Sequence, residues 1–231
     1  MKSIVIAIDG PAGAGKSTVS KTVARTLGYM LVDTGAIYRS VAWLAIGQRV
    51  ALDNDAALSR IVSNLDIRFR WDGETNRVFV SGKDVSESIR TPEISMAASN
   101  VSARKVVRDG LLELQRKLAG SGGAVLEGRD IGTVVFPGAE VKIFLDASPE
   151  ERARRRHREL SEKGPAPSFE RVLEDVTKRD AQDAGRDLAP LKPAPDAIIL
   201  DSTKLSIDQV VSAVIDAARV AGAIRDYTPP A

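Results

Sequence analysis

A chain of 231 residues with 43% hydrophobic and 28% charged residues can bury a core without disulfides or a structural metal. It has no cysteine and a single histidine, His157, which excludes disulfide frameworks, cysteine zinc sites and histidine-rich metal centres. A net charge of +2 is too small to point to nucleic acid; no apolar stretch approaches a membrane span and no secretory leader is visible, so no membrane role and a cytoplasmic location are expected.

Taken in chain order, Ile4 to Ile8 is a short, almost wholly apolar run, the pattern of a central parallel strand buried on both faces. A glycine loop follows, then a helix from Lys16 to Leu27 with Val19, Val23 and Leu27 on one face and Gly28 as its stop. Tyr29 to Val32 reads as a second strand, and Ile37 to Ile46 as a helix ending at Gly47. Alternation of Leu65, Ile67, Phe69 and Trp71 with Asp66, Arg68 and Arg70 predicts a one-sided strand; Asp72-Gly73 turns it and Arg77 to Val80 returns. This antiparallel unit, about 65–89, interrupts the pattern as an insertion. Strand and helix then alternate again: a helix over 104–118, strands at Ala124 to Leu126 and Val141 to Leu145, an arginine-rich helix over 149–162, and a second charged helix over 168–183. Ala197 to Leu200 reads as a last buried strand, Ser206 to Val220 as a last helix, and Thr228 to Ala231 as a loose tail. Buried strands separated by helices predict an α/β fold with a doubly wound parallel sheet.

The loop Gly10-Pro11-Ala12-Gly13-Ala14-Gly15-Lys16-Ser17 fits G-x-x-x-x-G-K-[ST] at every fixed position. Glycines let successive backbone N–H groups face phosphate oxygens, and the next helix offers its positive N-terminus. Lys16 is placed for the β- and γ-phosphates of ATP, and the Ser17 hydroxyl is a hard ligand suited to Mg²⁺. The Asn-Lys-x-Asp signature of guanine binding is missing, since no asparagine precedes a lysine. Asp146 ends an apolar strand but is followed by Ala147, so the Asp-Glu pair of a motor ATPase is missing too. What remains is a kinase for a small acceptor, which needs arginines besides the lysine to hold two anions head to head.

Three segments supply them: Asp33-Thr34-Gly35-Ala36-Ile37-Tyr38-Arg39; Gly128-Arg129-Asp130 with Gly132-Thr133; and Arg179, Asp183 and Arg186. Together with I-D-G-P-A-G-A-G-K-S-T and K-I-F-L-D-A-S, in this order and spacing, these segments resemble bacterial cytidylate kinases from Ile4 to about Val220. The resemblance implies a P-loop NTPase fold: a five-stranded parallel sheet flanked by helices, an antiparallel β insertion in the monophosphate-binding region and a short helical lid. It implies one kinase domain, with its core at about 1–34, 103–148 and 190–231, the monophosphate region at 35–102 and the lid at 149–189. It further implies phosphoryl transfer from ATP, with Mg²⁺, to CMP or dCMP; a monomer is expected. Donor binding falls to Gly10, Pro11, Ala12, Gly13, Ala14, Gly15, Lys16, Ser17 and Thr18, with Arg155 and Arg156 as the lid arginines expected to touch nucleotide.

Acceptor binding by the same resemblance falls to Thr34, Arg39, Ser99, Arg108, Arg129, Asp130, Arg179, Asp183 and Arg186. Arg39, Arg129 and Arg186 would hold the acceptor phosphate or the transferring group and, with Lys16, form the catalytic set. Arg179 and Asp183 would bind ribose hydroxyls, and Thr34, Ser99, Arg108 and Asp130 would lie near base or phosphate. Asp130 and Arg108 suit cytosine, whose amino group needs an acceptor and whose ring nitrogen and carbonyl need donors. A different monophosphate such as UMP, or a metabolite alcohol with Asp33 as base, stands as the alternative; a nucleotide-sensing module without turnover is disfavoured by the intact Lys16, Ser17 and arginines.

Overall fold

The computed structural model describes residues 2–120 and 122–223. In chain order it contains β1 (Val5–Asp9), α1 (Lys16–Leu27), β2 (Met30–Asp33), α2 (Thr34–Gly47), α3 (Asp55–Ser63), β3 (Ile67–Asp72), β4 (Thr75–Val80), β5 (Lys83–Asp84), α4 (Pro92–Ser102), α5 (Lys105–Ala119), β6 (Ala124–Gly128), β7 (Val141–Asp146), α6 (Pro149–Lys163), α7 (Phe169–Ala184), β8 (Ile198–Asp201) and α8 (Ile207–Val220). A 3₁₀ turn, Ser88–Arg90, precedes α4, and a π turn, Ile131–Val135, follows β6. The expected tail lies outside the described residues. No described helix is long and apolar enough to cross a membrane.

Five strands form the parallel sheet in the order β2-β6-β1-β7-β8, and β3-β4-β5 form a separate antiparallel sheet. β1 lies parallel to β6 and β7, and every one of its five residues is buried. The register sets Ile8 beside Glu127 and Asp9 beside Gly128 and Phe144. Three strands therefore deliver their C-terminal ends to one edge, where ligands of open α/β sheets are bound.

The chain divides into two compact units, one within Met1–Met30 and Ser121–Ala231 and the other Leu31–Gly120. The first is centred on Ile6, Ile8, Leu126, Ile143 and Leu145, with α1 packed on α8. The second packs α2 on α4 and α3 on α5 around Ile37, Leu58, Ile89 and Leu111, and carries the antiparallel sheet.

Three expectations are corrected. α2 starts at Thr34, three residues earlier than its apolar pattern, because the Asp33 carboxylate accepts from Ala36 N at 2.8 Å and caps it. α3 and α4 were not anticipated, although Asn54 and Thr91 cap them and Pro92 stands at the first turn of α4. The strand at Ala197 to Leu200 is not buried: β8 is the sheet's edge, with Ile198 47% and Ile199 56% exposed.

Candidate active site

The phosphate loop leaves β1 at Gly10, whose φ is 147°; a Cβ there would stand 1.9 Å from Leu145 O, so only glycine fits. Gly15 enters α1 in the left-handed region with no side-chain cap, so the first amides of α1 have no side-chain acceptor. Lys16 is buried, and its Nζ donates to Pro11 O at 2.6 Å within the loop. Burial, and then the positive charge of Arg129, hold its ammonium well below the usual lysine range, against the pull of Glu127. Ser17 Oγ donates to Glu127 Oε2 at 2.9 Å. Ser17 is exposed and Glu127 is buried at the end of β6. The next loop residue, Thr18, is exposed, and its carbonyl accepts from Thr22 Oγ1.

Asp9, at the end of β1, is buried and accepts from Ile131 N and Gly132 N, each at 2.8 Å. Burial pushes its carboxyl up to about 6, against these two hydrogen bonds and with the charge of Asp130 adding to the rise. It ties the π turn to the strand that feeds the phosphate loop. Asp130, buried just before that turn, offers its backbone carbonyl to Val134 N and Val135 N.

Three arginines of this unit gather on one carboxylate. Asp183 is buried on α7; Arg129 Nε reaches it at 2.9 Å, Arg186 at 2.5 Å and Arg179 at 4.0 Å. Burial raises the Asp183 carboxyl, but Arg129 and Arg186 outweigh it and hold the group below the ordinary carboxylate range. Four of the predicted acceptor residues thus form one cluster, with Asp130 next in sequence to Arg129.

Along α6 the arginines separate by face. Arg152 is buried and donates to Ala147 O and to Ala12 O of the phosphate loop. Arg155 donates to Ala14 O at 3.3 Å and to Ser202, while Glu151 holds its Nε. Arg154 and Arg156 pair with Glu151 and Glu159 toward solvent. His157 meets Phe169 edge-on at 6.4 Å, and Asp146 accepts from Ala147 N at the end of its own strand.

In the second unit, Thr34 and Arg39 lie on α2 and Ser99 on α4. Thr34 is buried, and Arg39 donates to Asp33 Oδ2 at 2.8 Å. Arg108 on α5 donates to Ser102 O at 3.1 Å and stands 5.6 Å from the centre of the Tyr38 ring. Ser102 Oγ in turn donates to Ser99 O. Arg108 therefore meets the C-terminal end of α4, the helix that carries Ser99, and stands over Tyr38 of α2.

Three residues of the loop's surroundings, Asp9, Glu127 and Arg152, were not singled out from sequence. Asp9 and Glu127 were legible only as charged residues closing apolar strands. Arg152 was hidden among five arginines of one helix.

Residues 6–220 match the family model described as cytidylate kinase. The chain is 53% identical over 208 residues to the cytidylate kinase of Citrifermentans bemidjiense, covering 90% of this chain and 89% of that one. It is 49% identical over 214 residues to that of Bacillus thuringiensis (strain Al Hakam), covering 93% and 95%. Its fold is also similar to the crystal structure of an uncharacterized protein from Eubacterium ventriosum, with a TM-score of 0.50 at 13% identity, covering 92% of this chain and 96% of that one. At that identity the likeness speaks for the fold alone. A match across nearly the whole chain, on top of a complete phosphate loop and an arginine cluster, places this chain in the cytidylate kinase family.

Proposed function

We propose that the chain transfers the γ-phosphoryl group of ATP to CMP, giving ADP and CDP, with dCMP as a second acceptor. The observation that carries the chemistry is a complete phosphate loop with a buried lysine, in the same unit as three arginines that converge on Asp183. Burial and the charges of Arg129 and Arg179 depress the Lys16 ammonium against the opposing pull of Glu127 and Asp9, so a transferring phosphoryl group placed there would restore its charge. The acceptor oxygen of a monophosphate is already ionised near neutral pH, so no general base is required. Catalysis is then positioning and charge stabilisation.

In this reading the amides of Gly10 to Thr18 cradle the donor phosphates. Lys16 leaves Pro11 O for the γ-phosphoryl oxygens. Arg39, Arg129 and Arg186 hold the acceptor phosphate, and Arg179 and Asp183 face the ribose. Asp130, Arg108, Ser99 and Thr34 line the base end. The Ser17 hydroxyl and Glu127 carboxylate are hard oxygens in contact with each other, a donor set that fits Mg²⁺. Ser17 would hold the ion directly and Glu127 would orient its water. Among the described residues no group of three acidic or histidine side chains could hold a metal, so the remaining ligands would be phosphate and water. When bound, the ion would supply neutralisation of charge on the β- and γ-oxygens.

A kinase acting on an alcohol would need a free base, and Asp33 is already committed to Ala36 N and Arg39. The test is a panel of ATP with CMP, dCMP, UMP and small alcohols, with purified protein and product detection. CDP formation is expected, with at least about 10²-fold lower kcat/KM for UMP. Faster turnover of an alcohol, or ATP hydrolysis without transfer, would overturn the reading.

A further inference from the structure

Arg152 differs from the other arginines of α6. Its side chain is 4% exposed and has partners in three separate segments. Nε donates to Ala147 O at 2.8 Å, at the end of β7. One terminal nitrogen donates to Ala12 O in the phosphate loop at 3.1 Å, and the other pairs with Asp180 of α7 at 2.6 Å. The Asp146 carboxylate stands farther off, at 4.0 Å. Gly13, next to Ala12, packs so closely that a Cβ there would lie 3.0 Å from Arg152 Cβ. A planar guanidinium can hold three fixed directions at once, whereas a lysine ammonium cannot match that fork.

Asp180 directly follows Arg179 and lies one turn before Asp183, the carboxylate on which Arg129 and Arg186 converge. Its Oδ1 is buried with no hydrogen-bond partner among the described residues, and its other oxygen is held by the ion pair with Arg152. One side chain therefore joins a peptide of the donor loop to the helix that carries acceptor-side groups.

We propose that the Arg152–Asp180 pair is a coupling element, through which filling of the phosphate loop biases the position of α7 and so the readiness of its arginine cluster for the acceptor phosphate. The proposal rests on the reading of ATP as donor and CMP as acceptor. Donor phosphates entering the loop settle the Ala12 peptide; Arg152 follows its carbonyl, and Asp180 carries the shift into α7. Linkage requires the reverse as well: acceptor binding must tighten donor binding by the same factor. Arg152 and Asp180 are positioning residues here, since neither is assigned to a substrate.

Calorimetry on the full chain tests this. The Kd for CMP is measured on free protein and on protein saturated with Mg²⁺ and the β,γ-methylene analogue of ATP, and the reciprocal titration is made. The parent is expected to bind CMP about fivefold or more tightly with the analogue present. In Asp180→Ala and Asp180→Asn this ratio should fall below about twofold, while each nucleotide alone binds within about threefold of the parent. Arg152→Lys should lose coupling in the same way; should it fail to fold, the Asp180 variants decide alone. Undiminished coupling in folded Asp180 variants overturns the link, as does a parent that binds both nucleotides without coupling. A parent that binds neither nucleotide removes the functional reading itself and the link with it.

Discussion

Lys16 and the arginines proposed to bind the acceptor are held in opposite ways. Lys16 is buried against a neutral carbonyl, Pro11 O, with its ammonium depressed by burial and by Arg129. The arginines are parked on carboxylates: Arg39 on Asp33, and Arg129 and Arg186 on Asp183. A triphosphate arriving at Lys16 would meet an ammonium whose charge burial disfavours, with no carboxylate hydrogen-bonded to it. A monophosphate arriving at the arginines must share them with aspartates or displace those aspartates, so part of the gain is offset. Within each unit the carboxylate gives its arginine a fixed partner. On the proposed assignment, then, the loop is ready before its ligand arrives, whereas each acceptor arginine must first leave its carboxylate.

The comparison breaks most visibly at Lys16. Lys16→Ala should leave the fold intact and lower kcat by about 10²-fold or more, because the lysine acts on charge that develops in transfer. A well-folded variant within about threefold of the parent would break the distinction. Glu127→Gln sharpens it: the hydrogen bond from Ser17 can persist while the charge is lost. The Mg²⁺ concentration for half-maximal rate should rise by about tenfold, the usual cost of a partner that orients a ligand. An unchanged magnesium requirement would limit Glu127 to holding the loop.

The smallest expected effect concerns protons. The Lys16 ammonium is depressed in free protein, and donor phosphates must raise it again. In the pH window between those two values, ATP binding should take up a fraction of a proton. Titration in buffers of different ionisation enthalpy reads this directly. Acceptor binding exchanges arginines between carboxylate and phosphate, so it should show a smaller uptake. Equal uptake by both nucleotides would contradict the contrast drawn here.

How much of this could be read from sequence follows from where each contact lies along the chain. The phosphate loop was fully legible, since its chemistry is packed into eight consecutive residues. The buried strands β1, β6 and β7 were legible too, as apolar runs between helices. Asp9 and Glu127 were not legible as functional, because their partners, Ile131 and Ser17, lie 122 and 110 residues away and are brought near by strand register. Arg152 could not be told from its neighbours, because helix phase relative to the loop, 140 residues earlier, decides which arginine is buried. Ile198 to Leu200 resembles a central strand in composition, and only sheet order makes it an edge. α3 and α4 carried readable caps, Asn54 and Thr91-Pro92, but short apolar stripes.

Selection of cytosine tests the account most directly. A carboxylate can only accept, which suits the exocyclic amino group of cytosine; against UMP it would face a carbonyl oxygen in a dry site. Asp130 is buried beside Arg129 and is the residue assigned to that contact. Steady-state kcat/KM for CMP and UMP should be measured on the parent and on Asp130→Asn. The account predicts a preference for CMP of about 10²-fold or more in the parent, falling sharply in the variant because the CMP value drops far more than the UMP value. Equal losses on both acceptors would contradict it, leaving Asp130 to hold the turn and moving base selection to Ser99 and Arg108.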